Sequence, residues 1–203
     1  MPSPLFVSLQ QTLNNLRRDL IVDGKEYSAY TSAEHSSALG FRVLASAHIE
    51  DYAEKRCVEI ARTGILRLKR GQPTRTGQSL ITWYSARNEL HPIPLAVTEI
   101  AIDDKVDTAL KTYENMASKK HGISASNLRN LVVPLGVREE DLNDQLFNLL
   151  SAAAVKRGAA AHIKVNRAKT MSEPIEEWKD VSPILKLLEQ LDGRLDAAVH
   201  ASP

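Results

Sequence analysis

The 203-residue chain is 43% hydrophobic, enough for one sizeable core, and its 26 Lys and Arg against 25 Asp and Glu leave a formal net charge of +1. That balance excludes a general attraction to polyanions, so any basic surface must be local. The single cysteine, Cys57, excludes an internal disulfide framework and a thiolate zinc site, and reads as a small buried hydrophobe. No apolar run approaches the roughly 18 residues of a membrane span, and MPSPLFVSLQQTL lacks the regions of a secretory signal. The expected location is the cytoplasm, with no membrane partner.

Helical periodicity dominates from the start. A short helix is expected over Leu5 to Asp19, and VDGKEYSAYTSAEHSS reads as turn and loop. From Ala38 to Ala61 the residues Leu39, Val43, Leu44, Ala47, Ile49, Tyr52, Ala53, Cys57, Ile60 and Ala61 recur at three- and four-residue spacing. This predicts a long amphipathic helix, stopped by Gly64. Arg62 to Arg75 carries five cations and no acid before the break GQPTRTGQ, the pattern of a basic loop. LITWYSA is a short apolar element, and HPIPLAV is too proline-rich for a helix.

Asp103 and Asp104 favour a helix start, and the helix through VDTALKTYENMASKK should end at His121-Gly122. A short helix is expected from Ser124 to Leu135, broken by Pro134 and Gly136. The next runs through Leu142, Leu146, Leu149 and Leu150 into VKRGAAAHIKV. For the last helix, Asp180 or Ser182 is the expected cap, with Pro183 in the first turn. Strand signals are few, so the expected class is all-α: an up-and-down bundle of about five to seven helices. No internal repeat, low-complexity tract or domain linker stands out.

VKRGAAAHIKV holds the chemistry. Glycine inside a helix costs roughly 1 kcal/mol relative to alanine, so Gly158 calls for a local reason. Ala153, Ala154, Gly158, Ala159, Ala160 and Ala161 make a face without bulk, and a helix crossing within the chain would account for it. Packing does not account for Arg157 and His162, which have four residues between them. Along a regular helix they would point about 140° apart. Convergence needs the helix to end or bend, or a second copy of the helix to face the first.

From Lys156 to Lys169 five cations (Lys156, Arg157, Lys164, Arg167, Lys169) stand with no acid. Either this is a solvated basic turn or it meets an anion, for which phosphate is the natural partner of a guanidinium fork. His162 titrates near neutrality and can move a proton. In RNA, removing the proton of a 2′-hydroxyl lets that oxygen attack its own phosphate, with no metal or cofactor required.

These residues resemble a known family. RGAAAH near the end of a late helix, preceded by HGISASNLRNLVVPLGVREEDL and by the earlier ASAHIEDYAEKR, is similar to the HEPN superfamily (higher eukaryotes and prokaryotes nucleotide-binding), in its RiboL-PSP-HEPN-like branch. The likeness covers roughly residues 38–165 and implies a single helical domain over 1–203, with terminal helices added to that core. It also implies dimerisation into a composite, metal-independent endoribonuclease of the toxin or defence type, with RNA and a second copy as partners and an antitoxin or neighbouring defence protein as a further one. By position, Arg157 would steady the phosphorane charge and His162 would be base or acid, while Glu50 would orient one of them. Lys156, Lys164, Arg167, His48 and Ser46 would contact substrate.

Two positions depart from the family pattern. Gly158 stands where many members carry a polar residue, and Lys164 where toxins controlled by nucleotidyltransferases carry tyrosine. A non-catalytic RNA- or nucleotide-binding or dimerisation module is therefore the alternative. Glu50 shares a helical stripe with Ser46, Ala53 and Cys57, so it lies either at the solvent edge or against a cation such as Arg157. Trp83 and Tyr84, beside the basic segment, could stack on bases, but aromatics in a hydrophobic stretch more often belong to a core, and that is the reading expected here.

Overall fold

The computed structural model describes residues 1–87, 99–119, 122, 124–160 and 172–202. Among these the chain is an all-α helical bundle: α1 (Pro4–Leu20), α2 (Ser32–Lys69), α3 (Arg75–Arg87), α4 (Glu99–Ala117), α5 (Ala125–Val132), α6 (Asp144–Ala160) and α7 (Pro174–His200). Short 3₁₀ turns lie at Tyr27–Ala29, Val133–Leu135 and Glu139–Asp141. No described helix is long and apolar enough to cross a membrane. HPIPLAV lies outside the described residues.

Local chemistry sets the helix starts. Ser3 Oγ accepts from Phe6 N at 3.1 Å, with Pro4 in the first turn of α1. At the start of α2, Glu34 Oε2 accepts from Thr31 N at 2.8 Å while Thr31 Oγ1 accepts from Glu34 N at 3.2 Å, a reciprocal capping box. Lys25 Nζ lies 2.5 Å from Glu34 and holds that carboxyl far below its usual range, at about 2. Thr74 Oγ1 accepts from Gly77 N at 3.1 Å at the head of α3.

Four expected boundaries are overturned. α2 passes straight through Gly64 and ends at Lys69, so most of the basic segment is helix rather than loop. Gly64 is there for proximity: a Cβ on it would fall 2.7 Å from Thr76 Cγ2, and one on Gly77 would fall 2.9 Å from the Gly64 carbonyl oxygen. Three of the segment's five cations are absorbed by carboxylates and a carbonyl, with Arg62 on Glu114 at 2.6 Å, Lys69 on Asp107 at 2.7 Å, and Arg67 donating to Val199 O at 3.1 Å. LITWYSA belongs to α3, and α4 starts at Glu99, ahead of Asp103.

α7 begins at Pro174, with Glu176 and Glu177 in its first turn, and carries Pro183 in its interior. The buried series Ile175, Val181, Ile184, Leu185 and Leu188 runs through that proline, and its burial outweighs the lost backbone bond. In α2 the buried stripe is Ala38, Phe41, Ala45, Ile49, Tyr52, Ala53, Cys57, Ile60, Ala61 and Ile65, while Val43 and Leu44 face solvent.

Packing divides the chain into two compact units. One comprises Met1–Tyr52, Gly122–Ala125 and Asn143–Gln190. Its core joins Phe6, Leu9 and Leu13 of α1 to Phe41 and Ile49 of α2, Leu146 and Leu150 of α6, and Ile184 and Leu188 of α7. Phe6 meets Tyr52 edge to face at 5.8 Å.

The other comprises Ala53–His121, Ser126–Leu142 and Leu191–Pro203. Its core holds Cys57, Ile60, Leu80, Tyr113, Leu128, Leu131 and Leu195. The Tyr113 hydroxyl donates to Leu131 O at 2.7 Å. Buried Arg56 lies 2.7 Å from fully buried Asp192 and 2.5 Å from Asp196, so the buried charge is paired on α7. Among the described residues Thr76 Oγ1 is buried with no hydrogen-bond partner.

Candidate functional site

Arg157 lies on the inward face of α6, in line with Leu146 and Leu150 three and two turns earlier. Glu50 lies on α2 at the edge of the buried stripe that contains Ile49 and Ala53. The two meet: Arg157 Nη1 stands 3.1 Å from Glu50 Oε2, with side-chain exposures of 38% and 18%. Of the two settings open to Glu50, it adopts the one against the arginine.

The second carboxylate oxygen, Oε1, accepts from the backbone N–H of Gly122. Gly122 has φ +91, a left-handed conformation that favours glycine and turns its amide toward the carboxylate. Both oxygens of Glu50 are thus engaged, which fixes the carboxylate and aims the guanidinium. Among the described residues the bond to Glu50 uses one of five N–H groups on Arg157, and the side chain is half-open, so an oxyanion could meet the others.

The neighbouring turn of α6 is held from two sides. Arg42 Nη1 donates to Lys156 O at 3.2 Å, while Arg42 itself forks onto Glu177, with Nε to Oε2 at 2.7 Å and Nη2 to Oε1. Lys156 Nζ pairs with Asp180. Three cations (Arg42, Lys156, Arg157) therefore face three carboxylates (Glu50, Glu177, Asp180), and the bare positive charge of the sequence segment is balanced at its described end. In the sequence Asp180 is expected only as a helix cap, a place it does not take because α7 starts at Pro174, and Arg42 and Glu177 carry no signal.

Ser46 is buried and donates to Arg42 O at 2.9 Å, one turn back in its own helix. His48 is half-buried and, two residues from Glu50, points about 160° away from it around α2. The structure brings together Glu50, Arg157 and Lys156 on adjoining turns and leaves Ser46 and His48 off that cluster. His162, Lys164 and Arg167 lie outside the described residues.

The outer face of α6 is open. Ala152, Val155 and Gly158 are exposed, Val155 at 74%, and a Cβ on Gly158 would meet no atom within 4 Å. Among the described residues, no helix of the same chain crosses at Gly158. Compared with known proteins, the chain matches no family model, no curated protein and no solved structure.

Proposed function

We propose that the chain is a metal-independent endoribonuclease of the HEPN toxin or defence type, working in the cytoplasm as a homodimer whose site is shared between subunits. The observation that carries this reading is the Glu50–Arg157 pair at 3.1 Å: two residues that the resemblance assigns to one site meet from distant helices, with the guanidinium still half-open. Glu50 is the positioning residue. The open small-residue face around Ala152, Val155 and Gly158 is where a second α6 would seat.

In this mechanism His162 of one subunit takes the proton of a 2′-hydroxyl, whose oxygen attacks the adjacent phosphorus. The 5′-oxygen leaves with a proton from the His162 of the partner subunit, and the product is a 2′,3′-cyclic phosphate. Arg157 steadies the charge on the non-bridging oxygens. Lys164 and Arg167, with Lys156, would hold the strand, and an antitoxin or neighbouring defence protein would restrain the activity; Ser46, buried on Arg42 O, and His48, turned away from Glu50, are left out of that grip.

Purified protein incubated with mixed RNA in EDTA should yield fragments ending in 2′,3′-cyclic phosphate, with His162→Ala and Arg157→Ala silent and Glu50→Gln slowed. Intact RNA with wild type as with His162→Ala defeats the reading. The second reading, a non-catalytic RNA- or nucleotide-binding module, draws on the pairing of Lys156 with Asp180 and Arg157 with Glu50, which leaves less charge for a transition state. RNA binding that falls steeply with salt and survives His162→Ala would select it.

A further inference from the structure

A groove of about 500 Å³ opens between α3 and the turn at 133–138, in the unit that holds Tyr113. One face of α3 lines it with Arg75, Gln78, Ser79, Thr82 and Trp83, and Val133 and Pro134 form the opposite wall, with Arg138 at the rim. Among the described residues no carboxylate lines it. The size is that of a small-ligand site.

Its cationic end is built rather than incidental. Gly136 has φ +85, and a Cβ on it would fall 2.9 Å from Arg75 Cγ and 3.3 Å from Ser79 Cβ, so the turn lies directly against the stem of Arg75 and steadies it. Arg138 at the rim is paired with Asp141, with Nε at 2.9 Å, and with Glu140 at 2.8 Å, so these carboxylates compete with any anion for it. The Arg138 hydrogen bond holds the Asp141 carboxyl below its usual value, and Arg194 and Arg75 add to the effect. Three guanidiniums thus favour negative charge at this corner, and no hydrogen bond or close ion pair occupies the Arg75 guanidinium among the described residues.

At the other end Trp83 is braced edge-on by Tyr113 at 5.9 Å and carries the Arg87 guanidinium over its ring at 5.4 Å. An indole at one end, hydroxyl and amide side chains between, and arginines at the other match a flat heterocycle joined through a sugar to a phosphate. We propose that this groove binds a nucleotide, its phosphate on Arg75 and Arg138 and its base against Trp83. The source is either a free nucleotide or one unit of a single strand. The groove uses neither Glu50 nor Arg157 and stands whether or not the chain cleaves RNA.

Calorimetric titration of the full chain with AMP, adenosine, inorganic phosphate and a short single-stranded RNA tests it. AMP should bind saturably, with adenosine and phosphate each weaker by about tenfold or more. Arg75→Gln should weaken AMP by roughly tenfold to a hundredfold, the loss expected for one charge-assisted contact. Asp141→Asn, which removes the competing carboxylate, should tighten it, a gain that a merely structural Asp141 would not produce. RNA that binds more tightly than AMP and is displaced by it identifies a strand as the source; RNA no tighter than AMP identifies the free nucleotide. Absence of saturable binding by both, or AMP binding unchanged in Arg75→Gln and Arg138→Gln of native helicity, overturns the proposal.

Discussion

Cys57 shows how burial sets the behaviour of one side chain. Its thiol is pushed up to about 12 by desolvation, opposed by the nearby Tyr113 hydroxyl and Arg56. The folded protein therefore holds this proton more tightly than the unfolded chain, whose thiol titrates near 9. The stabilisation is whole below about pH 9 and is lost as pH climbs from there toward about 12. The Tyr113 phenol, raised by the same burial, acts in the same direction above its ordinary value of 10. Cys57 should stay unreactive to a thiol reagent at pH 8 until denaturant is added, and Cys57→Ala should flatten the alkaline fall of stability in urea titrations. Rapid modification of native protein, or an unchanged alkaline limb, would count against this account. The buried status of Cys57 was legible in its spacing with Ala53 and Ile60; its tyrosine neighbour, from another helix, was not.

Helices carry their own test in two glycines. Gly77 and Gly158 both sit inside helices, yet a Cβ at Gly77 meets the Gly64 carbonyl oxygen at 2.9 Å and one at Gly158 meets nothing within 4 Å. Gly77→Ala should destabilise by about 1–3 kcal/mol through overpacking. Gly158→Ala should stabilise the folded chain by up to about 1 kcal/mol through helix propensity. Chemical denaturation reads both, and equal effects would refute the distinction. The same contrast explains which boundaries the sequence disclosed. Gly136 acts locally, through a positive φ, and was readable as a break, whereas the Ser3 cap, equally local, was not read from the sequence. Gly64 and Pro183 look like the same signals, but a tight crossing at one and a continuous buried stripe at the other override them, and both depend on partners remote in sequence.

Over the whole molecule, charge is nearly balanced, and the structure spends that balance on pairs between distant segments: Arg42 with Glu177, Arg56 with Asp192, Arg157 with Glu50. A linear scan finds the cations near Arg157 but not that Arg42 meets Glu177 or Arg56 meets Asp192 across more than a hundred residues. The helical class was legible because apolar spacing is a local property, and the meeting of Glu50 with Arg157 was open as one of two settings. The proposed shared site makes a prediction at this scale. Sedimentation should show a wild-type dimer, and Gly158→Leu, which adds bulk to the open face of α6, should shift it to monomer with its helicity intact. A wild-type monomer at high concentration would remove the basis for a composite site.

Thr76 has a practical consequence. Among the described residues its hydroxyl gains no hydrogen bond in return for the water it gives up, while its Cγ2 atom lies against Gly64. Valine keeps that outline and swaps the oxygen for carbon. Thr76→Val should accordingly raise the melting temperature, by an increment worth about 1 kcal/mol, and so mark one point at which this protein can be hardened by design.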